Sequence, residues 1–261
     1  MKVSSCIDMM FANMDFNDRI ESVKQCGLDG IEFWKWTNKN LDEVIALKDK
    51  YNLGFAVFNI DSTDEKLSYD LSRGILNAGR VEEFLKALQE SIPVYKKINA
   101  SAMIVLVGET IVDMPREEQI ENVYKCLKAA AAVAEANGIT IVVEPLNSVD
   151  RENYFLPYAK DLMDILDRVD SKNVKMLYDI YHQNVMGDFS MDFIKANIDR
   201  IGHFHVADCP GRHEPGTGKV DYVPIIEEIN KTNYSGFIGL EYRATKPDCE
   251  TFGFLKEIKN V

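Results

Sequence analysis

Short apolar runs recur along the chain at intervals of about 25 to 40 residues, each followed by a longer segment whose apolar positions have helical spacing. Eight runs stand out: Val3 to Ile7, Gly30 to Trp34, Phe55 to Ile60, Ala102 to Val107, Thr140 to Glu144, Lys175 to Asp179, Gly202 to Ala207 and Phe237 to Tyr242. Ile104-Val105-Leu106-Val107 and Ile141-Val142-Val143 are apolar throughout, which suits strands covered on both faces. Strand and helix alternating in this way predict βα units and a parallel sheet.

The clearest helix follows Pro115. Glu117 and Glu118 sit at its positive end, and Ile120, Val123, Tyr124, Leu127, Ala131 and Ala134 fall on one face before Asn137-Gly138 stops it. Two earlier helices are predicted to end at Cys26-Gly27 and at Asn52-Leu53-Gly54, each just before a strand. The chain's 261 residues match the roughly 250 of a barrel of eight such units. We therefore expect one α/β domain over residues 1–261, a single (β/α)8 TIM barrel with its site at the C-terminal ends of the strands. No linker or low-complexity tract marks a second domain. The least regular stretches, Asp61 to Gly79, Asn147 to Leu156 and Cys209 to Asp221, each follow a predicted strand and are expected as loops on the catalytic face.

Composition narrows the function. A formal charge of −12 and the lack of a Lys/Arg stripe exclude nucleic acid as an expected partner. No run approaches the roughly 20 apolar residues of a membrane span, so no membrane partner is expected. Met1 to Met10 lacks the succession of a signal peptide. Cys6, Cys26, Cys126, Cys209 and Cys249 form no CxxC pair and are read as reduced packing residues, so a cytoplasmic location is expected.

Candidate chemistry lies at the ends of the last four strands: Glu144, Asp179, His205 and Glu241. Singly, each reads as a solvated cap, an ion-pair partner or a hydrogen-bonded wall histidine. On four successive strands they converge on one quarter of the barrel mouth, and three carboxylates with one imidazole suit one Mn²⁺, Mg²⁺ or Co²⁺ ion. Such an ion, holding two adjacent oxygens of a hydroxy-carbonyl substrate, acidifies the carbon-bound proton between them. Glu144 and Glu241 are the candidate pair to remove and return it.

The segments Glu144-Pro145-Leu146-Asn147, Tyr178-Asp179-Ile180-Tyr181-His182 and Gly211-Arg212-His213-Glu214-Pro215-Gly216-Thr217-Gly218 resemble the signatures of the hydroxypyruvate isomerase family, within the xylose-isomerase-like barrels that include the ketose 3-epimerases. Phe58-Asn59, Arg73-Gly74, Tyr154-Phe155-Leu156 and Gly239-Leu240-Glu241-Tyr242 extend the likeness over nearly the whole chain. The resemblance implies metal ligation by Glu144, Asp179, His205 and Glu241, with Glu144 and Glu241 as the catalytic acids. It also implies that His182 and Arg212 contact substrate oxygens, with Asp150 as a supporting acid.

Three positions depart from the family's pattern. Hydroxypyruvate isomerases often carry Gln where this chain has His205, whereas the ketose 3-epimerases carry His. Trp34-Lys35-Trp36 replaces an aromatic and proline segment. Glu109 stands where some members place lysine, and pointing inward it would disfavour an acid substrate. The expected partner is thus a small molecule, a short keto acid, with a neutral ketose undergoing 3-epimerisation as the alternative. A dehydratase and a non-catalytic sugar-binding barrel rank behind these, and four histidines are too few for a trinuclear zinc nuclease. Trp34, Trp36 and Phe58 are read as rim packing, with a pocket wall or a homo-oligomer contact as alternatives.

Overall fold

All eight predicted strands form and close on one another in chain order: β1 (Lys2–Cys6), β2 (Gly30–Glu32), β3 (Gly54–Asn59), β4 (Ala100–Leu106), β5 (Ile141–Glu144), β6 (Val174–Asp179), β7 (Ile201–Val206) and β8 (Phe237–Leu240). Every pairing is parallel, and β8 returns to β1 through Lys2 opposite Phe237. This computed structural model describes residues 1–78 and 81–255.

The helices are α1 (Phe16–Gln25), α2 (Leu41–Lys50), α3 (Glu65–Arg73), α4 (Ile75–Ala78), α5 (Val81–Ile98), α6 (Arg116–Asn137), α7 (Ala159–Val169), α8 (Ile180–Val185), α9 (Met191–Ala196) and α10 (Tyr222–Asn230). The helix predicted after Pro115 is α6. Pro115 caps it, Val123, Leu127, Ala131 and Ala134 are buried as expected, and Gly138 ends it in the left-handed conformation at φ 63°.

Period-two alternation sorts the strand residues between two cores. Met103, Val105, Ile141, Val143, Met176, Tyr178, Phe204, Ile238 and Leu240 belong to the large cluster packed with the helices. Ala102, Ile104, Val142, Leu177 and Phe237 form a separate small cluster inside the barrel together with Ala56 and Val57 of β3, two consecutive residues at which the alternation is not kept. Glu144 shares the parity of Val142, Asp179 that of Leu177, and Glu241 that of Phe237. His203 and His205 alternate with the outward Phe204. The same two-residue period therefore aims all of these polar side chains at the barrel axis.

Two expectations need correction. The stretch Asp61 to Gly79 is mostly helical: the Asp64 carboxylate caps α3 by accepting from Leu67 N at 3.0 Å, and Leu67 and Leu71 are buried. Gly79 itself lies outside the described residues. The cysteines are also not all reduced. Cys26, at the C-cap of α1, is bonded to Cys249, with Cα atoms 5.1 Å apart across 223 residues of sequence. Phe11 N donates to Asp248 and Phe11 packs on Phe252, so the returning C-terminal segment already lies against this end of the chain. Cys6, Cys126 and Cys209 are free. Among the described residues no helix is long and apolar enough to cross a membrane.

Candidate active site

Ligand atoms of Glu144, Asp179, His205 and Glu241 all lie within 4.8 Å of one another, and all four residues are buried. The Nδ1 of His205 is 3.3 Å from Glu144 Oε1 and 3.6 Å from Glu241 Oε2. Three carboxylates rarely share a buried volume without a cation to offset their repulsion. Burial, reinforced by the Glu241 charge, raises the carboxyl groups of Glu144 and Asp179 above their ordinary values. Burial also acts to raise Glu241, but His205, Arg212 and the Trp34 indole outweigh it and hold that carboxyl below the usual range. The His205 imidazole is raised well above its ordinary value, because Glu241, Glu32 and Glu144 overcome the opposing effect of burial.

Glu144 and Glu241 of this cluster border a cavity of about 560 Å³, whose lining also includes Trp34, Lys35, Asp150, His182 and Arg212. Three local devices shape it. Tyr154 is buried; its hydroxyl donates to Glu144 O at 2.7 Å and accepts from Val107 N at 2.8 Å, joining the loop after β5 to the ends of β4 and β5. Asp179 accepts from His182 N at 3.1 Å and so starts α8 directly at the strand end.

Asn147 sets the orientation of His182. Its backbone N–H donates to His182 Nδ1 at 3.1 Å, so in the neutral ring the hydrogen sits on Nε2, 3.4 Å from Asp179 Oδ2. Burial and the Arg212 charge push His182 down to about 4, which keeps the ring neutral. Asp150 accepts from Asn147 Nδ2 at 3.0 Å and from the Tyr181 hydroxyl at 2.8 Å.

The third device is the loop after β7. Buried Asp208 accepts four backbone N–H groups: Cys209 at 2.8 Å and Val220 at 3.0 Å on Oδ1, and Gly216 and Gly218 at 2.8 Å each on Oδ2. Arg212 N donates to Asp208 O at 3.0 Å, and Arg212 is held in the left-handed region at φ 56°. From there its Nη2 donates to Glu241 Oε2 at 2.5 Å, and its guanidinium lies over the Tyr181 ring. Two donors in the site, His182 Nε2 and Arg212 Nε, are buried with no hydrogen-bond partner among the described residues.

The structure thus gathers every residue singled out from the sequence: the four ligand candidates in one cluster, with His182, Arg212 and Asp150 along the cavity beside it. Glu109 does not stand as a bare charge facing a substrate, because Arg73 pairs with it. Of the aromatics, Trp36 and Phe58 are buried packing residues, whereas Trp34 is cavity wall, its indole N–H donating to Glu241 Oε1 at 2.7 Å. Sequence reasoning missed Asp208, Asn147 and Glu32. Asp208 leaves a trace, an acid at a strand end before a glycine-rich segment, and Glu32 leaves only its inward parity on β2.

A family model described as Xylose isomerase-like TIM barrel matches residues 20–258. The chain belongs to this family. Within it, the chain is 29% identical to the hydroxypyruvate isomerase of Escherichia coli over 244 residues, covering 93% of each. It is 31% identical to the 2-oxo-tetronate isomerase of Cupriavidus necator over 252 residues, 96% of this chain and 95% of that protein. A solved structure titled AP endonuclease, family 2, from Brucella melitensis superposes with a TM-score of 0.89 at 23% identity, covering 98% of each chain, and shares the fold. The likeness to hydroxypyruvate isomerases read from the motifs is borne out, and the protein is an enzyme of the isomerase and epimerase kind. The oxygen-rich donor set of this xylose isomerase-like barrel fits a divalent cation, since a double positive charge there offsets the crowding that raises Glu144 and Asp179.

Proposed function

We propose that this protein is a divalent-metal-dependent isomerase of short hydroxy-keto acids, of the hydroxypyruvate or 2-oxo-tetronate kind, with Glu144, Asp179, His205 and Glu241 holding one Mn²⁺, Mg²⁺ or Co²⁺ ion. The observation that carries the reading is the pair of unpartnered buried donors, His182 Nε2 and Arg212 Nε, beside the carboxylate cluster in one cavity. A substrate with a carboxylate next to a carbonyl offers the acceptors these donors lack. The names of the two relatives point to the same substrate class.

When bound, the ion supplies the Lewis acidity that makes a proton between adjacent oxygenated carbons removable. The protein's own groups do the rest. For hydroxypyruvate, one of Glu144 and Glu241 takes a proton from the hydroxymethyl carbon, the C=C bond of the enediol forms, and the other glutamate returns a proton to the former carbonyl carbon, giving tartronate semialdehyde. The hydroxyl proton passes between the two oxygens, so the isomerisation neither gains nor loses atoms. The two glutamates flank His205 Nδ1 from the β5 and β8 sides, which suits proton removal at one carbon and return at its neighbour. His182 donates from Nε2 to a substrate oxygen, Arg212 holds the carboxylate, Asp150 supports both through Asn147 and Tyr181, and Trp34 walls the site. His205, the residue the ketose 3-epimerases carry at this place, favours a second reading, 3-epimerisation of a neutral ketose on the same cluster.

The test is proton NMR in deuterated water with hydroxypyruvate, 2-oxo-tetronate, erythrulose, tagatose and fructose. The keto acids should be converted with solvent deuterium at the new carbon centre, and a chelator should stop the reaction. Conversion of the ketoses alone would establish the second reading, and no exchange into any substrate would leave a binding barrel.

A further inference from the structure

One buried acid near the site has no part in the steps above. Glu32 on β2 points inward one level below the cluster and is as buried as the residues around it. Its Oε1 lies 3.1 Å from His205 Nε2 and its Oε2 lies 3.1 Å from His203 Nε2, while the Ser4 hydroxyl donates to Oε2 at 2.8 Å. His203 and His205 meet edge to face, with ring centres 4.9 Å apart at 88°. At these distances Glu32 Oε1, His203 Nε2 and His205 Nε2 are close charge contacts without aligned hydrogen bonds, and the three atoms have no hydrogen-bond partner among the described residues. The acid therefore stands on the opposite side of the His205 ring from Glu144 and Glu241, which face Nδ1.

The space around this carboxylate is fully used. Gly239 pairs in register with His205, and a methyl group there would sit 2.5 and 2.7 Å from the Glu32 oxygens and 2.8 Å from His203 Nε2. Glycine at this level of β8 is what lets the carboxylate reach both rings.

We propose that Glu32 is a positioning residue for the metal site: its buried negative charge, 3.1 Å from His205 Nε2, favours the tautomer with the hydrogen on Nε2 and so leaves the Nδ1 lone pair aimed at the ion, while the Ser4 hydroxyl bond and the adjacent His203 ring hold its other oxygen and stop the carboxylate from turning. Carboxylates face both ring nitrogens, so it is a divalent charge offsetting Glu144 and Glu241 on the Nδ1 side that would leave Glu32 to decide the tautomer; hydrogen on Nδ1 would then set the Nε2 lone pair against an uncompensated buried carboxylate at 3.1 Å. Outer carboxylates that fix a ligating imidazole in this way typically contribute about 10–100-fold to metal affinity. The inference rests on the reading that Glu144, Asp179, His205 and Glu241 hold a divalent ion.

The test uses the full chain labelled with ¹⁵N-histidine and loaded with Zn²⁺, a diamagnetic probe. Long-range ¹H–¹⁵N spectra should show His205 with its hydrogen on Nε2 and the metal on Nδ1. Calorimetric titration of chelator-treated protein with Mn²⁺ should give an affinity lower by about 10–100-fold in Glu32→Gln, and lower by a few-fold in Ser4→Ala, which keeps the carboxylate and its two imidazoles. A role in folding alone would lower the unfolding midpoint and leave the Mn²⁺ affinity of the folded variants unchanged, which would overturn the proposal. So would metal on His205 Nε2 in the wild-type spectrum, a reading that needs no variant to fold. Two ions per chain by elemental analysis, with the second on Glu32, His203 and His205, would also overturn it. Binding of no divalent ion would instead remove the four-residue metal site on which it stands.

Discussion

Replacing Asp208 with Asn tests how the loop after β7 delivers Arg212. The carboxylate accepts two backbone N–H groups on each oxygen, all within 3.0 Å, and it is buried. An amide of the same shape keeps one accepting oxygen and turns an NH₂ group toward two N–H donors. Hydrogen bonds to a charged group are worth about 1.5–3 kcal/mol each, so losing two costs about 3–6 kcal/mol. For a chain of this size, at about 2–4 °C per kcal/mol, the unfolding midpoint should fall by about 6 °C or more if the loss is felt globally. If the loop opens locally instead, the loss appears in catalysis, because Arg212 is held at a strained φ by the same clamp. Then kcat/KM should drop on the order of 10-fold or more through misplacement of its guanidinium. Differential scanning calorimetry and steady-state kinetics on one preparation cover both routes. A midpoint shift below about 2 °C together with wild-type kcat/KM would refute the clamp, since neither route to the cost would then be visible.

Chelation should abolish turnover, and Mn²⁺, Co²⁺ or Mg²⁺ should restore it; full activity in rigorously metal-free protein would contradict the four-residue site. Arg212→Lys should lose more kcat/KM on a keto acid than on a neutral ketose, because lysine lacks the fork that binds a carboxylate in two places; equal losses would favour the ketose reading. In chelator-treated protein, the contribution of His182 to stability should fall as pH drops from about 6.5 toward 4, because the ring stays neutral in the folded state down to about 4 whereas in the unfolded chain it takes up a proton at the ordinary histidine value. Glu144, Asp179 and His205, whose raised values act in the opposite direction, are common to wild type and His182→Asn. Urea unfolding of wild type and His182→Asn at several pH values checks this, and identical pH slopes in the two proteins would show that the ring is not held neutral.

The barrel and the cluster at its mouth were legible because both follow from a period of two. Once Val142, Leu177 and Phe237 are placed inward, Glu144, Asp179 and Glu241 must follow, and four such residues on successive strands have one place to meet. His182 and Arg212 came only through family resemblance. Their roles depend on Asn147 holding one ring nitrogen and Asp208 folding a glycine-rich loop, contacts whose geometry has no sequence period. Glu32 was missed because its partners, His203 and His205, are brought to it by closure of the barrel between β1 and β8. The helix α3 was missed because its nine residues bury only Leu67, Ser68 and Leu71, too few to set a helical stripe apart from the loop around it. The bond between Cys26 and Cys249 joins positions that only the folded chain brings together.

Turnover of Glu241→Gln in deuterated water, with metal occupancy confirmed by elemental analysis at saturating Mn²⁺, bears most directly on the two-glutamate mechanism. Glutamine keeps the shape of the side chain and an acceptor for the Trp34 indole, which donates to Glu241 Oε1 at 2.7 Å, but it removes the base. The account predicts a folded, metallated protein that still binds the keto acid and loses on the order of 10²-fold or more in kcat. Glu144 remains able to exchange a substrate proton with solvent at one carbon even where delivery to its neighbour is blocked. A fully metallated Glu241→Gln enzyme with near wild-type kcat would contradict the account, and wild-type turnover without any solvent deuterium in the product would point to a hydride shift instead.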